Sequence, residues 1–167
     1  LLTMTEKVAC GCAHHVVCVS DSLRSRAIDL GLVPESKATV LGSGSSNGVD
    51  ADRFRPRNPQ EKTEIRAELG IPDGSPVVGF VGRFTRDKGI ADLADAFFGQ
   101  VVERFPDARL LLIGDFEEGD PVAPEVRRRL EHDPRVVRPG FVSDTAPYYG
   151  AMDVLAFPSY REGFPNA

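Results

Sequence analysis

The chain has 167 residues, 41% of them hydrophobic, with 20 Lys and Arg against 25 Asp and Glu and a formal net charge of -5. That length holds one domain with a real core, or one domain and a piece of a second, and the second alternative is expected. No basic run or polybasic helix is present, which argues against nucleic acid or a bare membrane surface as the partner and for a small molecule.

No apolar run reaches the length of a membrane span, and "LLTMTEKVACGC" lacks the long apolar core of a secretory signal. Cys10, Cys12 and Cys18 are odd in number and have no disulfide-framework spacing, so a reducing, cytosolic compartment is expected. The chain starts at Leu1 and closes on "REGFPNA", a turn poised to enter a helix that does not follow. It reads as a fragment cut at both ends.

In chain order, "HHVVCVS" (14–20) is a β-branched strand, and Ser20 caps a helix over "DSLRSRAIDL" that Gly31 stops. "KATVL" (37–41) is a second strand. The stretch "GSGSSNGVDADRFRPRNP" then loses apolar content and marks a domain boundary near residue 50. Asn58, Pro59 and Glu61 form an N-cap, a first-turn proline and a capping-box acid for a helix that Gly70 ends.

From Val77 the pattern alternates. "VVGFVGR", "ARLLLIG", "RVVRPGF" and "DVLAFPS" are near-continuous apolar strands, separated by helices over "IADLADAFFGQVVERF", "PEVRRRLEH" and "TAPYYGAM". Ile90, Leu93, Ala94, Phe97, Val101 and Phe105 are expected on one buried helical face. Strands without polar alternation imply an α/β fold: a Rossmann-like parallel sheet with helices on both faces. Ligands of such sheets bind at the carboxyl edge.

That edge collects Gly82, Arg83, Arg86, Lys88 and Gly89, then Gly114 and Asp115, then Gly140 and Phe141, then "SYREGFPNA". Glycines that admit close backbone approach, fixed cations and a helix start make an anion site, and Arg83 and Lys88 can embrace a diphosphate. Glu162 would repel such a ligand unless it faced a neutral group with hydroxyls. The loop set therefore suggests a sugar bonded to a diphosphate.

"GRFTRDKG", "LLIGD", "VVRPGFV", "YYGAMDVLAFPS" and "REGFPNA", in that order, resemble the carboxyl-terminal half of the retaining GT-B glycosyltransferases of family 4. "NGVDADRF" resembles their passage between domains, and "GSGSSNGVD" the branch acting on lipid-linked sugars for capsule and other surface polysaccharides. The resemblance implies residues 1–50 as a remnant of the acceptor-side amino-terminal domain with its linker, and residues 51–167 as a truncated donor-binding domain. It implies Glu162 as the first carboxylate of a Glu-x7-Glu pattern, on donor-sugar hydroxyls, with the second lying three residues beyond Ala167. Arg83 and Lys88 match the family's diphosphate-binding cations, beside Gly82. Gly140, Phe141 and Val142 resemble the nucleobase-contacting loop, and the amides around Gly163 and Phe164 would face sugar and phosphate.

The activity so implied is sugar transfer with retention from a nucleotide-diphosphate donor, a UDP-sugar by family weighting, to a glycan or lipid-linked acceptor, without cofactor or metal. The parent would work in the cytoplasm or at the inner membrane face, as a peripheral membrane protein, and the fragment alone would be inactive. A truncated sheet would leave apolar surface able to dimerise.

Rival readings are weaker. A non-catalytic nucleotide- or sugar-binding module could use the same fold. Phe141 and Phe164 could serve packing or stacking. Cys10, Cys12, His14 and His15 lack a second paired-ligand cluster for zinc. Asp115, Glu117, Glu118 and Asp120 read as a solvated loop, and Asp50-Ala51-Asp52 as a turn, not as cation sites. Gly42-x-Gly44-x-x-x-Gly48 has one residue too many for a dinucleotide fingerprint.

Overall fold

The computed structural model describes residues 2–45 and 48–167. Ser46 and Asn47, in the middle of the serine-rich stretch and of the Gly42–Gly48 spacing, lie outside the described residues. The chain forms two compact units, one of Leu1–Val49 with Glu162–Asn166, the other of Asp50–Arg161 with Ala167. No helix among the described residues is long and apolar enough to cross a membrane.

The first unit contains α1 (Leu2–Cys12), β1 (Val16–Cys18), α2 (Asp21–Asp29) and β2 (Ala38–Val40). β1 and β2 pair in parallel, with Val16 opposite Ala38. Ser20 Oγ accepts the Leu23 amide at 3.2 Å, and Gly31 ends α2 with φ +64°, a left-handed turn open to glycine at little cost. Arg24 Nε donates to the Ala38 carbonyl at 2.9 Å, so α2 is tied to β2. Lys37 Nζ donates to the Gly11 and Ala13 carbonyls at the end of α1. A cation there satisfies carbonyls that a helix terminus leaves without partners. α1 has no signal in the sequence analysis above: its first turn carries no acidic residue and its last turn no basic one.

The second unit contains α3 (Pro59–Glu68), β3 (Val77–Val81), α4 (Ile90–Ala96), a π-helical turn (Phe97–Val101), α5 (Val102–Arg104), β4 (Arg109–Ile113), α6 (Pro124–His132), β5 (Val136–Gly140), α7 (Ala146–Ala151) and β6 (Val154–Leu155). Its four strands are all parallel in the order β5-β4-β3-β6. β4 shows why apolar residues run without interruption. Leu110 and Leu112 point to one face, where Ile90, Leu93, Phe97 and Leu130 cover them. Leu111 and Ile113 point to the other, against Ile65, Ala151 and Met152. Both faces of β4 are dry, and the expected parallel sheet with helices on both faces is what forms, although Val154 and Leu155 at its edge stay exposed.

Two expectations need correction. Phe105 is 47% exposed, and Phe98 is buried in the core instead. The π turn between α4 and α5 inserts an extra residue, which rotates everything after it off the 3.6-residue face. The strand read over "DVLAFPS" is reduced to Val154 and Leu155, because only Val78 and Gly79 of β3 are paired with it.

The capping box before α3 forms as read: Asn58 Oδ1 accepts the Glu61 amide at 2.9 Å and Glu61 Oε2 accepts the Asn58 amide at 2.9 Å. The Arg55 guanidinium, first, and the Asn58 amide, second, hold Glu61 down at about 2. Its carboxylate contribution is complete above the ordinary Glu pKa and is lost only as pH falls through about 2. Asn58→Ala is expected to cost about 1 kcal/mol, read as a lower urea midpoint with unchanged slope.

Candidate functional site

In the second unit, β3, β4 and β5 succeed one another across the sheet, and β6 then returns to the opposite side of β3. α4, which follows β3, covers one face of the sheet and α7, which leads into β6, covers the other, so the winding reverses between β3 and β6, and that is the topological switch point of the sheet. Open parallel sheets bind ligands outside the carboxyl ends of their strands at this point. Gly82, Arg83, Lys88 and Gly89 occupy the β3 loop.

Backbone bonds bind these loops into one platform. Gly82 N donates to the Ile113 carbonyl at 3.0 Å, Phe84 N to Asp115 at 2.8 Å, and Gly114 N to Gly140 at 3.2 Å. A Cβ on Gly114, where φ is +132°, would strike the Gly82 carbonyl oxygen. Gly89, at φ +68°, lies so close to Pro158 that a side chain would meet the Pro158 carbonyl. Glycine at both positions lets neighbouring loops close on each other. Gly89 also starts α4 without a side-chain cap, so no cap side chain takes up the first-turn amides.

Asp87, which was not singled out in the sequence, is the hub of the platform. Its Oδ1 accepts Thr85 Oγ1 at 2.6 Å, its amide donates to Asp120 Oδ2 at 3.0 Å, and its carbonyl accepts the Tyr160 amide at 2.9 Å. The bond from Thr85, more than the nearby Lys88, Arg83 and Arg161 charges, lowers its pKa. Tyr160 Oη donates to Asp92 Oδ2 at 2.8 Å, and this carboxylate raises the phenol's pKa. These pairings join the loops after β3, β4 and β6.

Arg83 is exposed and bonded to Glu117 Oε2 at 2.5 Å through Nη1. Glu117 raises the Arg83 pKa, so the guanidinium stays charged. Lys88 is half-buried five residues on. Gly140 ends β5 with φ +84°, Val142 packs on the core, and Phe141 is 85% exposed, which makes it available to a flat ligand. Of the two roles considered for Phe141, packing is the one its exposure disfavours.

Glu162, Gly163 and Phe164 belong to the first unit, where Gly163 packs on Val19 and Leu23 and Phe164 lies beside Gly44. Glu162 is exposed. Among the described residues, no three His, Cys, Asp or Glu side chains converge as a metal-holding group. The carboxylates of the acidic loop have other partners: Asp115 accepts the Phe116 amide, Glu117 pairs with Arg83 and Asp120 accepts Asp87.

A doubly covered parallel sheet with this loop platform is the α/β architecture of GT-B glycosyltransferases. HepE from Anabaena, solved with UDP-glucose, superposes with a TM-score of 0.77 at 25% identity, over 98% of this chain and 44% of that one. The sucrose-phosphate synthase of Thermosynechococcus elongatus gives 0.73 at 28% identity, over 98% and 39%.

The chain belongs to the family described as "Glycosyl transferases group 1", which residues 75–167 match. The capsular polysaccharide biosynthesis glycosyltransferase CapM of Staphylococcus aureus is 37% identical over 99% of this chain and 43% of its own length. The lipopolysaccharide core biosynthesis glycosyltransferase LpsE of Rhizobium meliloti is 31% identical over 90% and 39%. The chain thus spans less than half the length of these relatives.

Proposed function

We propose that this chain is the donor-binding part of a retaining, family 4 glycosyltransferase that moves a sugar from a nucleoside diphosphate to a glycan or lipid-linked acceptor in surface polysaccharide synthesis. The observation that carries the reading is the switch point between β3 and β6, flanked by the Gly82–Gly89 loop that carries Arg83 and Lys88. The similarity to CapM over nearly the whole chain supports the polysaccharide setting, and the likeness to HepE, solved with UDP-glucose, supports a uridine donor.

In this reading Arg83 and Lys88 hold the diphosphate, with the Gly82 and Gly89 backbone close enough to receive it. As the bond from the sugar to the diphosphate breaks, charge builds on the leaving oxygens. Fixed cations and helix-terminal amides stabilise that charge more than they stabilise the intact donor, which is the condition for catalysis. Gly140, Phe141 and Val142 receive the base, with Phe141 as its stacking surface. Glu162, Gly163 and Phe164 keep the donor-sugar roles that the family resemblance implies for them. The parent works in the cytoplasm or at the inner face of the membrane.

An amide-resolved NMR titration of the chain with UDP, GDP and ADP tests this. Shifts are expected at Gly82 to Gly89, Gly114 and Gly140, strongest with UDP. Arg83→Ala should weaken binding by roughly ten- to a hundredfold, the scale of a lost hydrogen bond to a charged group. Binding of unchanged strength in that variant, or shifts confined to other surfaces, would remove the assignment.

A further inference from the structure

We propose that Glu117 is an intramolecular rival of the donor diphosphate for Arg83 and so sets how tightly the site holds its nucleotide. This rests on the assignment of Arg83 to the diphosphate made above.

The Arg83–Glu117 bond uses one guanidinium nitrogen, and its side chains are 60% and 42% exposed. A dissolved dianion can reach such a pair. The same unit contains the opposite arrangement: Asp133 grips Arg135 through both oxygens, at 2.8 and 2.7 Å to Nε and Nη2, with side chains only 13% and 31% exposed. A carboxylate that fixes an arginine in place holds both arms of the fork, as Asp133 does. Glu117 holds one, so Arg83 can turn to another anion.

Glu117 itself stays where it is. The loop on either side is anchored by the Phe84 amide on the Asp115 carbonyl and by the Asp87 amide on Asp120. Phe116 is edge-on to Phe84 at 5.2 Å, and its ring carries Arg127 at 4.6 Å and Arg138 at 5.0 Å. When Arg83 bonds a phosphate, the Glu117 carboxylate therefore remains near it, and two like charges face one cation. The donor must displace this bond and then endure the repulsion, which keeps affinity low and release fast.

A carboxylate that merely oriented Arg83 would act with the opposite sign, and this makes the test decisive. Calorimetric titration of UDP into the 167-residue chain is compared for wild type, Glu117→Gln, Glu117→Ala, Arg83→Ala and Glu118→Gln. Both Glu117 variants are expected to bind roughly fivefold more tightly, the upper range for an exposed pair, with the gain shrinking at high salt. Glu118→Gln removes the same charge from the next residue and should change affinity less than about twofold.

Weaker or unchanged binding by Glu117→Gln, while Arg83→Ala loses UDP, overturns the rivalry and leaves the donor site standing. Equal tightening by Glu118→Gln also overturns it, since bulk charge then suffices. UDP affinity that survives in Arg83→Ala, or no binding by either wild type or Glu117→Gln, overturns the donor assignment and the rivalry together.

Discussion

Arg66→Met is expected to lower the stability of the second unit by about 2–4 kcal/mol, somewhat under the figure for breaking a fully buried pair because Asp153 keeps solvent contact. Arg66 is a buried charge in α3, 8% exposed. Its Nε donates to the Ala151 carbonyl at 2.9 Å, Nη1 to the Ser75 carbonyl at 3.2 Å and Nη2 to Asp153 Oδ2 at 2.8 Å. That carboxylate also accepts the Val77 amide at 2.8 Å and Lys62 Nζ at 2.7 Å. One guanidinium thus joins α3, the end of α7, the entry to β3 and the approach to β6. Methionine would fill much of the volume and leave two carbonyls and part of a carboxylate without their donor.

The pH dependence gives a second reading of the same network. Burial alone would push Asp153 up, but the bonds from Lys62, the Val77 amide and Arg66 outweigh it and hold its pKa below the ordinary value. A carboxylate depressed in the folded state stabilises fully above its unfolded pKa, and that contribution disappears as pH falls through the folded value. Urea midpoints of wild type should therefore drop through the acidic range. In Arg66→Met that acid limb should flatten; an unchanged limb would show that Arg66 does not hold Asp153 down.

Gly114→Ala is expected to cost about 2–5 kcal/mol, combining an unfavourable backbone conformation with overpacking against a rigid group. At φ +132° almost only glycine is at ease, and the new methyl would strike the Gly82 carbonyl oxygen. A backbone atom cannot swing aside as the end of a side chain can. The strain falls where β3, β4 and β5 deliver their loops, so the Gly82–Gly89 segment must shift with it. Gly140→Ala supplies the comparison. Its φ is +84° but nothing lies within 4 Å of the added carbon, so only the conformational cost of about 1–2 kcal/mol should appear. Equal destabilisation by the two alanines would mean that the collision, and with it the close approach of Gly82 and Gly114, does not govern the fold here.

Local signals in the sequence carried much of this molecule. Ser20 and Asn58 cap their helices because a short polar side chain reaches the amide two or three residues ahead whatever the rest of the chain does. The unbroken apolar run at Leu110 to Ile113 could only be a strand covered on both faces, since alternate residues must each find a dry neighbour. Glycines and cations after the first strand of such a sheet likewise mark, from the sequence, the loop proposed here to bind an anion.

Tertiary structure decided what depended on strands far apart in the chain becoming neighbours. The return of β6 to the free side of β3 creates the switch point and brings Pro158 against Gly89. Arg66 meets Asp153 and Arg83 meets Glu117 for the same reason, and no spacing rule announces partners whose separation is set by sheet order. The π turn at Phe97–Val101, after which Phe105 leaves the core, was equally invisible, because helical periodicity assumes an unbroken turn.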